Sequence, residues 1–181
     1  MAPPASPPTV RVRAAQPRDI ADIHRLIVAL AEYEQDPASC TSTPEDLRIA
    51  LFPDDREAAA FALVAEMAPT AGAETSYRVV GMAVWFLSFS TWTGRHGIWL
   101  EDLYVEPAHR GGGLGTALLA GLARICRDRG YPRLEWWVLD WNRPSIEFYE
   151  SLGAIAQDAW TTYRMDDAAL TRLAALDSLP E

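Results

Sequence analysis

The sequence predicts an α/β (α+β) fold in which a mixed, mostly antiparallel sheet carries helices on both faces. Three observations support this prediction: helical periodicity comes first, strand-like segments follow, and strand and helix signals then alternate. With 181 residues, 49% of them hydrophobic and 23% charged, the chain has the length and composition of one globular domain. We therefore expect a single domain at 9–176, a disordered tail at 1–8 and a C-terminal tail at 177–181.

The elements follow from periodicity, since alternating apolar residues indicate strands and apolar residues three or four apart indicate helices. We predict strands at 9–15, 59–66, 77–89, 98–105, 134–139, 155–157 and 160–165, and helices from Pro17 and at 43–51, 113–129, 142–152 and 167–176. The loop at 68–76, with its Pro, Gly and Thr, is typical of a hairpin connection. The helix at 142–152 has Pro144 in its first turn and Gly153 just past its end, as helix boundaries favour.

One acidic residue falls on the apolar face of the first helix. Glu34 lies four residues beyond Leu30, so the helical period places it on the same face of the helix as the apolar residues. A carboxylate on that face needs either a hydrogen-bonding or cationic partner, or a cleft that water can enter. The alternative is a fraying helix end that points to water, and the sequence leaves both readings open.

Charge and composition argue against several classes of function. A net charge of −9 is unlike a nucleic-acid binder, which concentrates Lys and Arg on one face. Cys40, Cys126 and three scattered histidines lack the spacing of a disulfide framework or a metal site. No apolar run approaches the ~18 residues of a membrane helix, and Met1–Pro8 does not resemble a secretion signal. We expect a cytoplasmic protein with no metal, membrane or nucleic-acid partner.

A glycine-rich turn at 110–116 joins a predicted strand to a predicted helix. Unencumbered N–H groups at a helix N-terminus bind phosphate. The turn lacks the Lys-Ser/Thr pair of a P-loop, and its glycine spacing does not match the dinucleotide fingerprint. Three adjacent glycines lose much conformational entropy on ordering, so close approach of a ligand explains them better than a merely flexible turn.

Two carboxylates, Glu101 and Asp102, interrupt an otherwise apolar strand. Period-two alternation predicts that they point to opposite faces of the sheet, although a bulge would shift this pattern. At least one should be poorly solvated. A raised carboxylate pKa near a cleft often accompanies function, and a structural salt bridge is the alternative.

The residues around these features resemble a known family. The pattern Arg110-x-x-Gly113-x-Gly115 resembles the signature of the GNAT superfamily of N-acetyltransferases. The segments at 99–105 and 138–149, with 31–34 and 90–95 upstream, are similar to its diamine (spermidine/spermine-type) and thialysine acetyltransferases. The resemblance covers nearly the whole chain after residue 9.

The resemblance implies a GNAT-type sheet with a splayed parallel strand pair and an acetyl-CoA-dependent transfer of acetyl to a primary amine. The implied acceptor is a small diamine, polyamine or thialysine/amino-acid-like molecule, and family members are usually homodimers. Two alternatives share the cofactor features: a protein-lysine or N-terminal acetyltransferase, and a non-catalytic acetyl-CoA-binding regulatory module.

The resemblance also implies roles for particular residues. It makes Glu101 the general base, acting through a water, and Tyr149 the general acid, although a core tyrosine is the alternative for Tyr149. The implied cofactor residues are Leu103, Tyr104 and Val105, then Arg110, Gly111, Gly112, Gly113, Leu114, Gly115 and Thr116, and then Asn142, Arg143, Pro144 and Ser145. The candidate substrate-side residues are Tyr33, Glu34, Trp92, Glu101, Asp102, Glu135, Trp136 and Trp137. Carboxylates suit an ammonium and tryptophan faces attract cations, but among the tryptophans only Trp92 matches a substrate-side position in the family, and a core role is the alternative for the others.

Two departures from the family bear on the acceptor. Ser90 stands where polyamine-acetylating members have an acidic residue, and the stretch 153–160 is shorter than theirs, which loses a carboxylate unless Asp158 replaces it. Both departures favour shorter amines, thialysine or amino-acid-like diamines.

Overall fold

The computed structural model describes residues 10–68 and 77–176, which form five strands, five α-helices and three short 3-10 helices. The strands are β1 (Val10–Ala14), β2 (Phe61–Met67), β3 (Arg78–Ser90), β4 (Arg95–Val105) and β5 (Leu134–Glu135). The helices are α1 (Ile20–Tyr33), α2 (Pro44–Leu51), α3 (Leu114–Arg129), α4 (Arg143–Ser151) and α5 (Asp167–Ala174). The expected tails at 1–8 and 177–181, and the hairpin loop apart from Ala68, lie outside the described residues.

The chain divides into two compact units, Met1–Trp137 and Val138–Glu181. The first contains the sheet with α1, α2 and α3, and the second contains α4 and α5. The single domain expected at 9–176 stays a prediction. None of the helices in the described part of the chain is both long and apolar enough to span a bilayer.

The sheet has the order β1-β2-β3-β4-β5. Every neighbouring pair is antiparallel except β4 and β5, which run parallel through Ile98–Leu134 and Trp99–Glu135. Beyond Trp99, β4 continues to Val105 without β5 beside it. The predicted mixed, mostly antiparallel sheet with a splayed parallel pair is therefore confirmed.

Helices cover both faces of the sheet in the first unit. On one face, the predicted apolar stripe of α1 packs with α2 against the sheet, and Ile23 and Leu26 are fully buried beside Val64 and Met82. On the other face, α3 lies so close that a Cβ at Gly121 would stand 2.7 Å from Leu63 Cδ1. Glycine at this position lets α3 pack closely against β2.

Three strand predictions are wrong, one in its length and two in the existence of the strand. The strand expected at 134–139 ends at Glu135, and the segments at 155–157 and 160–165 form no strand within the described residues. A strand requires a neighbour with which to share its hydrogen bonds, and alternation cannot supply one. Ile155, Trp160 and Tyr163 are instead exposed by 82%, 76% and 92%, so an apolar pattern alone did not make these segments part of the sheet.

Buried ion pairs hold the first strand to its neighbours, and the sequence did not predict them. The Arg13 guanidinium donates to both Asp19 carboxylate oxygens at 2.6 and 2.9 Å and also to Glu66. Asp19 and Glu66 are 3% exposed. Burial acts to raise the pKa of each carboxyl, but the hydrogen bonds from Arg13 outweigh it and hold both pKa values below their usual range.

Replacing Arg13 with methionine is expected to lower the free energy of unfolding by about 3 kcal/mol at pH 7, because the buried Asp19 loses its guanidinium and the buried Glu66 keeps only that of Arg11. In the wild type the folded pKa values lie below the unfolded ones, so the stabilisation is present above about pH 4 and is lost as the pH falls. Urea unfolding should therefore show a smaller difference between variant and wild type at pH 3.5 than at pH 7.

A matched control is Arg48→Met, since Arg48 pairs with the exposed Glu45 on α2. It should lower the free energy of unfolding far less than Arg13→Met does, because the Arg48–Glu45 pair is exposed to water. Equal losses for the two variants, or a loss for Arg13→Met that does not change with pH, would contradict the assignment.

Candidate active site

The centre of β4 contains a β-bulge at Glu101. In the β3–β4 register Val84 lies opposite Asp102 and Trp85 lies opposite Leu100, so β4 has one residue more than β3 over this interval. Glu101 is that extra residue. A bulge leaves its residue outside the regular ladder and bends the strand, and here it comes two residues after the last pairing with β5.

The bulge places Glu101 and Asp102 on the same face of the sheet. Directly opposite residues share a face, and Asp102 lies opposite Val84, a residue that lines one cleft together with Glu101. This is the face that α1 and α2 cover. The prediction of opposite faces is wrong because the inserted residue shifts the alternation by one.

The two carboxylates form an uncompensated negative cluster with Glu34. Burial first, and then the negative charges of Glu101 and Glu34, raise the pKa of Asp102 to about 6. Burial also raises the pKa of Glu34. This residue is half-buried at the end of α1, which disfavours the alternative of a frayed helix end that points to water. Among the described residues no cationic side chain forms an ion pair with any of the three, so this part of the site can receive a positive ligand.

The exposed carboxylate of Glu101 lies at an aromatic cleft of about 580 Å³. Its Oε2 accepts a hydrogen bond from Trp99 Nε1 at 3.0 Å. The Trp99 ring in turn meets the Trp137 ring edge to face, with centroids 4.9 Å apart. The lining residues are Ala60, Val84, Phe86, Trp99, Glu101 and Trp137.

Sequence reasoning identified Glu101 and Trp137 but missed the other four lining residues. The sequence could have identified Trp99, because it lies two residues before Glu101 and strand alternation therefore places both on the same face. Phe86 could not be found in the same way, because its position depends on the pairing with Trp99 across β3 and β4.

The glycine-rich turn leads directly into α3. Gly111 and Gly113 have φ values of +76° and +81°, and α3 begins at Leu114. The first backbone hydrogen bond of the helix runs from Ala117 N–H to Gly113 O at 2.9 Å. The N–H groups before Ala117, including those of Gly115 and Thr116, therefore have no acceptor within the helix, as a phosphate site requires.

Arg110 connects this turn to two other elements. Its Nε donates to the Val105 carbonyl at 2.9 Å, and its Cζ lies 4.9 Å from the ring centroid of Tyr33 and 5.3 Å from that of Tyr104. Tyr33 ends α1 next to Glu34, and Tyr104 follows Asp102 on β4. The guanidinium thus links the glycine turn to the elements that carry the acidic cluster.

The remaining predicted residues of the first unit have varied surroundings. Trp92 is 90% exposed in the turn between β3 and β4 and is not among the residues lining the cleft. Glu135 forms an ion pair with Arg133 at 2.8 Å. Trp136 is half-buried, as is Leu103 on β4. Their roles stay predictions.

In the second unit, Asn142 caps α4. Its side chain is buried and accepts from Ser145 N–H at 3.4 Å, ahead of Arg143 and Pro144, which are exposed. Tyr149 is half-buried on the same helix. Leu152 caps the helix and is 47% exposed. The sequence predicted these helix boundaries well, and Gly153 follows with a φ of +89°.

Within the described ranges 10–68 and 77–176, no group of three or more His, Cys, Asp or Glu side chains is arranged to hold a metal ion.

Comparison with known proteins identifies relatives over most of the chain. The model of the acetyltransferase (GNAT) family matches residues 23–154. Thialysine N-epsilon-acetyltransferase of Mus musculus is 34% identical over 169 residues, which cover 92% of this chain and 98% of that protein. The Bos taurus enzyme of the same name is 36% identical over 168 residues, covering 91% and 97%.

Solved structures share the fold. An integron cassette protein from the mobile metagenome of V. cholerae superposes with a TM-score of 0.70 at 22% identity, over 91% of this chain and 97% of that one.

The Asp102 carboxyl is expected to titrate near pH 6 in carbon-13 NMR, because burial and the Glu101 charge both disfavour its ionised form. Glu101→Gln should lower this midpoint. Glu45→Gln, on the exposed surface of α2, should leave it unchanged. A wild-type midpoint near the ordinary ~3.9 would contradict the described environment.

Proposed function

The chain belongs to the acetyltransferase (GNAT) family and is an N-acetyltransferase that uses acetyl-CoA, and from this premise we propose its acceptor and the roles of its residues. The acceptor is a primary amine of a small diamine, polyamine or thialysine/amino-acid-like molecule. The observation that carries this proposal is the acidic cluster of Glu34, Glu101 and Asp102, which has no cationic partner among the described residues. The names of the mammalian relatives support the same class.

The proposed cofactor site follows the glycine turn and the open side of β4. The pyrophosphate of acetyl-CoA meets the N–H groups at 111–116, where the helix has no acceptors for them. The pantetheine arm lies along Leu103, Tyr104 and Val105, the part of β4 that β5 leaves unpaired. Residues 142–145 lie beside the pantetheine. The separation of β4 and β5 after Trp99 supports this position for the pantetheine arm.

The proposed chemistry begins with the protonation state of the acceptor. An alkylammonium has a pKa near ~10.4, so only about one molecule in a few thousand is neutral at pH 7. Glu101 takes a proton from the ammonium, directly or through a water. The neutral nitrogen then attacks the thioester carbonyl, a C–N bond forms and the C–S bond breaks. Tyr149 gives a proton to the departing thiolate, and the nitrogen of the new amide passes its second proton through water to the tyrosinate that this leaves. The proposed reaction requires no metal.

Asp102 and Glu34 hold the acceptor rather than react. Their negative charges attract an ammonium to the face on which Glu101 lies, and weak solvation strengthens that attraction. Backbone N–H groups at the bulge stabilise the oxyanion of the tetrahedral intermediate, where acyl transfer gains most.

The assembly and location proposed for the chain rest on the resemblance to family members. We infer a homodimer in the cytoplasm. Light scattering on the purified protein should give twice the mass of one chain, and the mass of one chain would contradict the dimer.

The reaction is tested by following free thiol while the chain is incubated with acetyl-CoA and a panel of diamines, polyamines, thialysine and a lysine peptide. Thiol release that depends on a small amine supports the proposal. Release with the peptide alone would favour a protein acetyltransferase, and binding of acetyl-CoA without release would favour a regulatory module.

Tyr149→Phe is expected to lower kcat by about a hundredfold, since general acid catalysis typically contributes that much. The variant should stay folded, because the ring and its packing are kept, and circular dichroism checks this. Tyr163→Phe is the matched control in the same unit, as Tyr163 is 92% exposed, and it should keep wild-type kcat. Equal kcat for Tyr149→Phe and wild type would remove the acid role.

A further inference from the structure

The proposed base lies on a part of β4 that the sheet restrains only weakly. Glu101 is the extra residue of the bulge, it follows the last pairing of β4 with β5, and its side chain is exposed. An exposed glutamate samples many rotamers, and ordering it costs conformational entropy. A general base has to lie within hydrogen-bond reach of the proton that it removes. A neighbouring group that holds this carboxylate would therefore assist the reaction.

The indole of Trp99 contacts the Glu101 carboxylate directly, since its Nε1 donates to Oε2 at 3.0 Å. A hydrogen bond to an ionised carboxylate is stronger than one between neutral groups. The indole N–H is a donor only, so Trp99 does not compete with Glu101 for a proton. An arginine or lysine would also hold the carboxylate, but its full charge would oppose the uptake of a proton more than a neutral indole does.

The Trp99 ring is itself held in one place. Trp99 pairs with Phe86 on β3 and with Glu135 on β5, so its backbone lies inside the sheet. Its half-buried ring meets the Trp137 ring edge to face, with centroids 4.9 Å apart, and lies 6.3 Å from the Phe86 ring. Such contacts favour one orientation of a ring. The direction of the indole N–H is therefore set by a rigid element, which positions a site residue more precisely than a loop does.

We propose, on the basis of the acetyl transfer proposed above, that Trp99 is a positioning residue for Glu101. The indole N–H fixes the carboxylate through Oε2, and Oε1 takes the proton of the acceptor's ammonium. The proton moves from nitrogen to Oε1, directly or through a water, and the nitrogen keeps the electron pair with which it attacks. Glu101 becomes neutral while Oε2 stays bound to the indole. Phe86 and Trp137 support the ring that holds the base.

A double-mutant cycle on the full chain tests whether Trp99 acts through Glu101. The assay follows thiol release from acetyl-CoA with the small amine of the panel above that has the highest wild-type kcat/KM. Glu101→Ala should lower kcat about a hundredfold. Trp99→Phe keeps an aromatic ring but loses the N–H, so it should lower kcat about tenfold, as expected for one hydrogen bond to a charged group. The KM for acetyl-CoA should change less than about twofold.

The double variant distinguishes a positioning role from a structural one. Because Trp99 acts only through Glu101, adding Trp99→Phe to Glu101→Ala should leave kcat within about twofold of the Glu101→Ala value. Trp160→Phe is the matched control, because Trp160 is 76% exposed, and it should keep wild-type kcat.

A second measurement does not depend on the folding of Trp99→Phe. In proton–nitrogen NMR spectra, the indole N–H resonance of Trp99 should shift when Glu101→Ala removes its acceptor. The indole resonance of the exposed Trp160 should stay in place.

Three outcomes would overturn the positioning role and leave the acetyl transfer standing. They are wild-type kcat for Trp99→Phe, a double variant about tenfold slower than Glu101→Ala, and a Trp99 indole resonance that Glu101→Ala does not shift. Wild-type kcat for Glu101→Ala would remove the base and positioning roles together. Absence of thiol release with every amine would overturn the acetyl transfer as well.

Discussion

Between Leu100 and Asp102, β4 has one residue that β3 does not match, and the position of that residue, Glu101, governs the rest of the site. The bulge puts Glu101 on the same face as Asp102, next to the end of α1 and its Glu34. The bulge also comes two residues after Trp99, the last residue of β4 that pairs with β5. One insertion thus gathers the acidic groups and lies where the two parallel strands part.

The consequence is a concentration of negative charge in which Glu34 and Asp102 are half-buried. Aromatic rings flank Glu101, and burial raises the pKa of Asp102. The nearby cation, Arg110, is held elsewhere, since its Nε donates to the Val105 carbonyl and its guanidinium lies near the rings of Tyr33 and Tyr104. A cationic acceptor would therefore complete the electrostatics of the site.

The sequence predicted those features that depend on neighbouring residues alone. The stripe of α1, the glycine turn before α3 and the boundaries of α4 all follow from local spacing and are present. The face of Glu101 and the length of β5 could not be predicted, because they depend on how one strand pairs with another. The lining of the cleft was missed for the same reason, since Phe86 and Trp99 meet only across two strands.

Hydrogen–deuterium exchange with and without acetyl-CoA tests most directly whether the cofactor enters where the strands part. The account predicts that the cofactor slows exchange of the amides at 103–105, beside the gap left by β5, and at 111–116, ahead of the first bond of α3. Exchange at distant exposed amides of α2 should not change. If acetyl-CoA binds and neither stretch is protected, the cofactor lies elsewhere and the roles assigned to the bulge are wrong.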